Sequence, residues 1–131
     1  LGDFEKAAFY EEKEVTLNRQ LGNLRSLGNG VNSLGEIRRL QGDGQKAIEY
    51  YDEALALMKE IGSKSSELMI LSNRGGARLL LSDFERAESE LRNVIETVGD
   101  AGHFILPETF CFLAQALLGQ NKIAPALEAA Q

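Results

Sequence analysis

The chain has no tryptophan, one cysteine, one histidine and two prolines among its 131 residues. The lone Cys111 cannot close an internal disulfide, and no Asn-x-Ser/Thr acceptor is present, so an intracellular, cytoplasmic protein is the default expectation. Basic residues are outnumbered, 14 Lys and Arg against 20 Asp and Glu, for a net charge of −6. Gripping nucleic-acid phosphates needs clustered cations, so a nucleic-acid partner is not expected, and an anionic membrane would repel the chain. No apolar run approaches the roughly 20 residues that cross a bilayer, and no signal-peptide pattern opens the sequence. One Cys and one His fall short of the four ligands of structural zinc, so neither a metal nor another cofactor is expected. With no Pro-rich or low-complexity tract to divide it, the chain reads as one domain, 1–131.

What is abundant is glycine, 13 residues, and much of it is regularly placed. Gly2, Gly22, Gly42, Gly62 and Gly102 stand at multiples of twenty from the first, and Ser82 fills the gap in the series. The flanking residues give a period of 40: Asp3-Phe4-Glu5-Lys6-Ala7 is echoed by Asp43 to Ala47 and by Asp83-Phe84-Glu85-Arg86-Ala87. A fourth copy ends at Ala126, 39 after Ala87. Such self-similarity marks a stacked-repeat architecture.

Between the marks, apolar residues recur at helical spacing. Ala47, Ile48, Tyr51, Ala54, Leu55, Met58 and Ile61 paint one stripe of a helix, with Glu49, Asp52, Glu53, Lys59 and Glu60 opposite. Seven helices are predicted, at roughly 3–20, 23–40, 44–61, 65–80, 84–98, 107–118 and 122–131, and nothing alternates with the period of a strand. The marks should be left-handed helix ends, with Asp3, Asp43, Asp83 and Ser63 or Ser65 capping the helices that follow. Pro107 suits a first turn, where its missing N–H costs nothing.

These units resemble the tetratricopeptide repeat, whose pattern is a large apolar residue, then Leu-Gly, then Ala and an aromatic in the next helix. The matches are Val31, Leu34-Gly35, Ala47, Tyr51 and Ala54; then Leu71, Gly75, Ala87 and Leu91; then Phe110, Leu113-Ala114, Leu117 and Ala126. Gly35 and Gly75 are expected to face Ala47 and Ala87, with Tyr51 and Leu91 filling the space beside them. The chain departs from the family pattern at Arg38, Arg74, Arg78 and Gly44. The 40-residue period is similar to the long variety in kinesin light chains, cell-polarity scaffolds and bacterial regulators. The resemblance implies an all-α α–α superhelix, a tetratricopeptide solenoid of about seven antiparallel helices. It also implies a non-enzymatic module that binds a protein or peptide, as a scaffold or in signalling. The alternative is a regulatory solenoid that couples other domains of a larger protein without any external peptide. The register divides the chain into a half repeat 1–22, repeats 23–62 and 63–102, and an incomplete repeat 103–131. With no polar capping helix at either end, a piece of a longer array is expected, or self-association through the uncapped ends.

Catalytic constellations are thin. His103 and Cys111 could form a dyad, but a loop histidine and a buried cysteine is the simpler reading. Gly28-Asn29-Gly30 has Ser33 where a dinucleotide loop needs glycine, and no strand precedes it. The carboxylate pairs Glu11 with Glu12 and Glu88 with Glu90 read as solvated surface. In the resembled family the first helix of each repeat lines a concave groove. Here that places Asn29, Asn32, Glu36 and Arg39 from one copy, Met69, Ser72, Asn73, Gly76 and Leu79 from the next, and Glu108, Cys111, Gln115 and Leu118 from the last. Asn29, Asn32, Glu36, Arg39, Met69, Asn73 and Gln115 are the candidate groove residues. Amides suit an extended backbone because each both donates and accepts, and Arg39 could pair with an acidic ligand side chain. No Lys lies on the stripes, which argues against a lysine clamp for a terminal carboxylate. Arg38, Arg74 and Arg78 could form a basic ladder unless neighbouring acids neutralise them.

Overall fold

The computed structural model describes residues 2–99 and 104–131. Among them are seven helices and no strand: α1 Asp3–Leu21, α2 Leu24–Leu40, α3 Gly44–Glu60, α4 Lys64–Leu80, α5 Phe84–Thr97, α6 Leu106–Gly119 and α7 Ile123–Ala130. Pro107 sits in the first turn of α6, as its missing donor requires. His103 and the mark at Gly102 lie outside the described residues.

The turn chemistry follows from backbone geometry. Gly42 and Gly62 have φ of 83° and 72°, the left-handed region that a Cβ disfavours. At the first of these, the Gly42 and Asp43 N–H groups donate to the carbonyls of Arg39 and Arg38, both at 2.9 Å, which satisfies two orphan acceptors at the end of α2. Capping is sparser than the sequence suggests. Asp43 Oδ1 accepts from the Lys46 N–H at 3.0 Å, and Asn23 Oδ1 accepts from the Ser26 N–H at 3.2 Å. Asp83 and Ser63 occupy N-cap positions without capping: the Asp83 carboxylate turns to Arg78 and Arg86, and Ser63 pairs with the Ser66 hydroxyl. Asp3 lies inside the first turn of α1, and Gly2 takes the cap position.

Sequential helices pack on one another along the whole chain. Contacts that skip a helix occur only within the even set, α2 with α4 and α4 with α6. The even helices therefore form a closely spaced inner row and the odd helices an outer row that splays apart. One apolar cluster joins α1 to α4 around Tyr51, Met58 and Ile70, all fully buried, and a second joins α5 to α7 around Leu91 and Leu117. Leu68, Val94 and Ile105 pack between them. Each large side chain so buried contributes roughly 1.5–3 kcal/mol. Phe4, Phe9, Tyr10, Leu17 and Leu21 of α1, and Ile123 and Leu127 of α7, are exposed.

The atoms nearest the helical glycines Gly35 and Gly75 belong to large side chains. A Cβ on Gly35 would stand 2.6 Å from Tyr51 Cε1, and one on Gly75 would stand 2.7 Å from Leu91 Cδ2. The large residues therefore occupy the glycine notches themselves, where a ring or isobutyl group buries more area than a methyl. Gly44 and Phe84 occupy equivalent positions but solve the packing in opposite ways. Gly44 lets the end of α4 approach, with the Ala77 carbonyl and Leu80 where its Cβ would be, whereas Phe84 lies on Gly119 at the end of α6.

Candidate functional site

Residues of the inner row meet across helices. Asn73, 7% exposed, donates from Nδ2 to Asn32 Oδ1 at 3.3 Å, joining α4 to α2. The hydroxyls of Ser72 and Thr109 bond at 2.7 Å, joining α4 to α6. Glu36 accepts from Arg39 Nε and Nη2 at 3.1 and 3.0 Å and from the Tyr51 hydroxyl at 2.6 Å. The Arg39 guanidinium also stands 5.1 Å from the Phe112 ring centroid and 3.7 Å from Glu108 Oε1. Gly76 makes that reach possible: the Phe112 ring fills the place a Cβ there would take, at 2.7 Å, so it leans over α4 toward Arg39.

Electrostatics follow this geometry. Burial alone would raise Glu36, but the hydrogen bonds from Arg39 and Tyr51 and the Arg39 charge outweigh it and hold the carboxyl below its usual range. Burial and then the Glu36 carboxylate push the Tyr51 phenol up, so it stays protonated and donates. Burial would lower Arg39, yet its bonds to Glu36 hold it above its ordinary value. The guanidinium, with its side chain 15% exposed, is thus engaged within the chain.

Of the seven sequence candidates, Asn32 with Asn73 and Glu36 with Arg39 form bonded pairs. Asn29 and Gln115 are exposed, and their side chains make no hydrogen bond among the described residues. Met69 packs against the cluster of Leu68, Val94 and Ile105, because α4 presents that position to the α5–α6 junction. Cys111, expected to be buried, is exposed. Its register on α6 points it along the same stripe as Glu108 and Gln115, away from the buried Phe112 and Leu113. Among the described residues no three His, Cys, Asp or Glu side chains converge as a metal site would require.

Of the carboxylate pairs, Glu88 and Glu90 are less solvated than expected, while Glu12 is exposed. Glu88 bonds Gln120, Lys122 and Arg92, and Glu90 takes Arg74 and Arg78, so both are largely covered. The same contacts dissolve the basic ladder. Arg74 pairs with Asp52 at 2.8 Å and with Glu90, Arg78 with Glu90 at 2.9 Å, and Arg38 stands 3.7 Å from Glu12. Sequence reasoning missed Phe112 and Thr109 as members of the inner row. Phe112 could have been found from Gly76, since a mid-helix glycine signals that something large lies opposite.

A family model for the tetratricopeptide repeat matches residues 26–97, which span most of α2 to α5 and more than half of the chain. The chain belongs to the tetratricopeptide repeat family. A comparison with curated proteins finds no match. Tetratricopeptide repeats generally mediate protein–protein interaction and are typically non-catalytic modules. No helix of the described residues is long and apolar enough to cross a membrane.

Proposed function

We propose that this tetratricopeptide array is a non-enzymatic module whose inner face binds an extended segment of another protein, with Asn29, Asn32, Glu36, Arg39, Met69, Asn73 and Gln115 forming or supporting the groove. The observation that carries this reading is the inner row itself. Three even helices lie side by side, the exposed amides of Asn29 and Gln115 make no hydrogen bond among the described residues, and Asn32 uses only its Oδ1, toward Asn73. An amide that both donates and accepts matches an extended backbone. In this reading Asn73, Glu36 and Met69 hold the floor, while Asn29, Asn32 and Gln115 touch the ligand. The repeats run 23–62 and 63–102, preceded by a half repeat at 1–22 and followed by 103–131.

The test is position-specific photo-crosslinking in lysate, with the probe at Asn29 or Gln115 and at the outer-row positions Glu49 and Lys59, all four exposed. The expected outcome is one partner captured from the inner positions and absent from the outer ones. Equal capture from both faces would sink the groove reading. A second reading, a coupling solenoid without external ligand, draws support from Arg39, whose contacts from α2 to Glu108 and Phe112 of α6 tie the first and last inner helices together. In that case neither face captures a separate protein.

A further inference from the structure

We infer that the groove selects a segment carrying a lysine or arginine, and that Glu108 is the residue that reads it. The inference rests on the groove reading above and names the chemistry of its partner. Three charges lie on the inner stripe: the carboxylates of Glu36 and Glu108 and the guanidinium of Arg39. Glu36 and Arg39 satisfy each other through two hydrogen bonds, and the Tyr51 hydroxyl takes a further lone pair of Glu36. Phe112 covers the guanidinium. Arg39 is therefore unsuited to receive an acidic ligand, contrary to the role its sequence position suggests, since a newcomer would have to displace a charge-assisted, two-point bond.

Glu108 is in the opposite condition. Among the described residues its one ionic neighbour is Arg39 at 3.7 Å, beyond hydrogen-bond length, it accepts no hydrogen bond, and its side chain is 58% exposed. A ligand ammonium or guanidinium can approach this carboxylate without breaking any bond the chain makes. Gln115 lies two turns further along the same face of α6 and Cys111 between them, both exposed, so a segment anchored at Glu108 runs over groups that take backbone donors and acceptors. An acidic segment would meet this exposed carboxylate, only partly offset by Arg39 at 3.7 Å, in the field of a chain with a net charge of −6.

Selection of short random peptides displayed on phage against the intact chain tests this. Enrichment of Lys and Arg is expected, and in Glu108→Gln the selected peptides should bind about fivefold more weakly, the worth of one partly exposed ion pair. Glu108→Lys should turn the enrichment toward Asp and Glu. Circular dichroism melts of both variants check that α6 remains folded. Neutral or acidic winners that lose binding when Asn29 and Asn32 become Ala would overturn the inference and leave the groove reading standing. Winners indifferent to both sets of substitutions would overturn the groove reading as well, and so would a selection that enriches nothing.

Discussion

Gly35 and Gly28 lie on the same helix and both face α3, yet they should respond differently to alanine. Alanine gains about 1 kcal/mol in helix propensity at either site. At Gly35 the new methyl meets Cε1 and Cδ1 of Tyr51 at 2.6 and 2.7 Å, a rigid, fully buried ring whose hydroxyl is tied to Glu36. Overpacking costs about 1–3 kcal/mol, so Gly35→Ala should be destabilising by roughly 1 kcal/mol in urea titration. At Gly28 the nearest atom is the terminal Cε of Met58, which can swing aside. Gly28→Ala should therefore lie close to neutral, and the reverse ranking would show that the glycines are not packing notches. Ser82 is the complementary case. It holds φ of 57° at the turn where the preceding marks carry glycine, a conformation costing a side-chain-bearing residue about 1–2 kcal/mol. Part of that is offset by the entropy glycine loses on folding, so Ser82→Gly should raise stability by about 0.5 kcal/mol.

At the level of elements, Glu88 is the polar bolt between α5 and the turn into α7. Burial would raise its carboxyl, but hydrogen bonds from Gln120, Lys122 and Arg92 pull it from 4.5 down to about 2. The folded value lies below the unfolded one, so the stabilisation is complete above pH 4.5 and is lost as the pH falls toward 2. The thermal midpoint should drop across that window. Glu88→Gln should start lower at neutral pH and show a shallower acid slope, with Glu36 accounting for part of the slope that remains. A parallel slope in wild type and variant would mean that the bolt carries no proton linkage.

For the whole molecule, the distribution of buried groups predicts uneven opening. α3 and α4 contribute seven and eight buried residues and pack against each other and against further helices, whereas α7 is eight residues long and buries only Ala126. A stack whose units touch only their neighbours frays from its least-buried member. Amide hydrogen exchange should be slowest in α3 and α4 and fastest in α7, with α1 nearer to α7, since it buries three residues over nineteen. Uniform protection across the seven helices would indicate a single cooperative unit instead. The exposed apolar side chains concentrate at α1 and α7, the helices this ranking makes least protected.

Helix positions, the left-handed turns at Gly42 and Gly62, and the apolar stripe of α3 were all readable in the linear order of residues. Each depends on neighbours within about one or two helical turns, and a 40-residue echo reports them repeatedly. The candidate groove was readable only as a set of positions. That Arg39 is spent on Glu36 and Phe112, that Asn73 is buried against Asn32, that Met69 turns to the α5–α6 junction and that Cys111 is exposed all depend on which side chain a different helix sets opposite. Those encounters follow from the relative offset of packed helices, which is settled where Tyr51 enters the Gly35 notch and Phe112 the Gly76 notch. Sequence spacing within one helix carries no measure of that offset, so the contrast between a covered Arg39 and an exposed Glu108 emerges only once the helices are packed together.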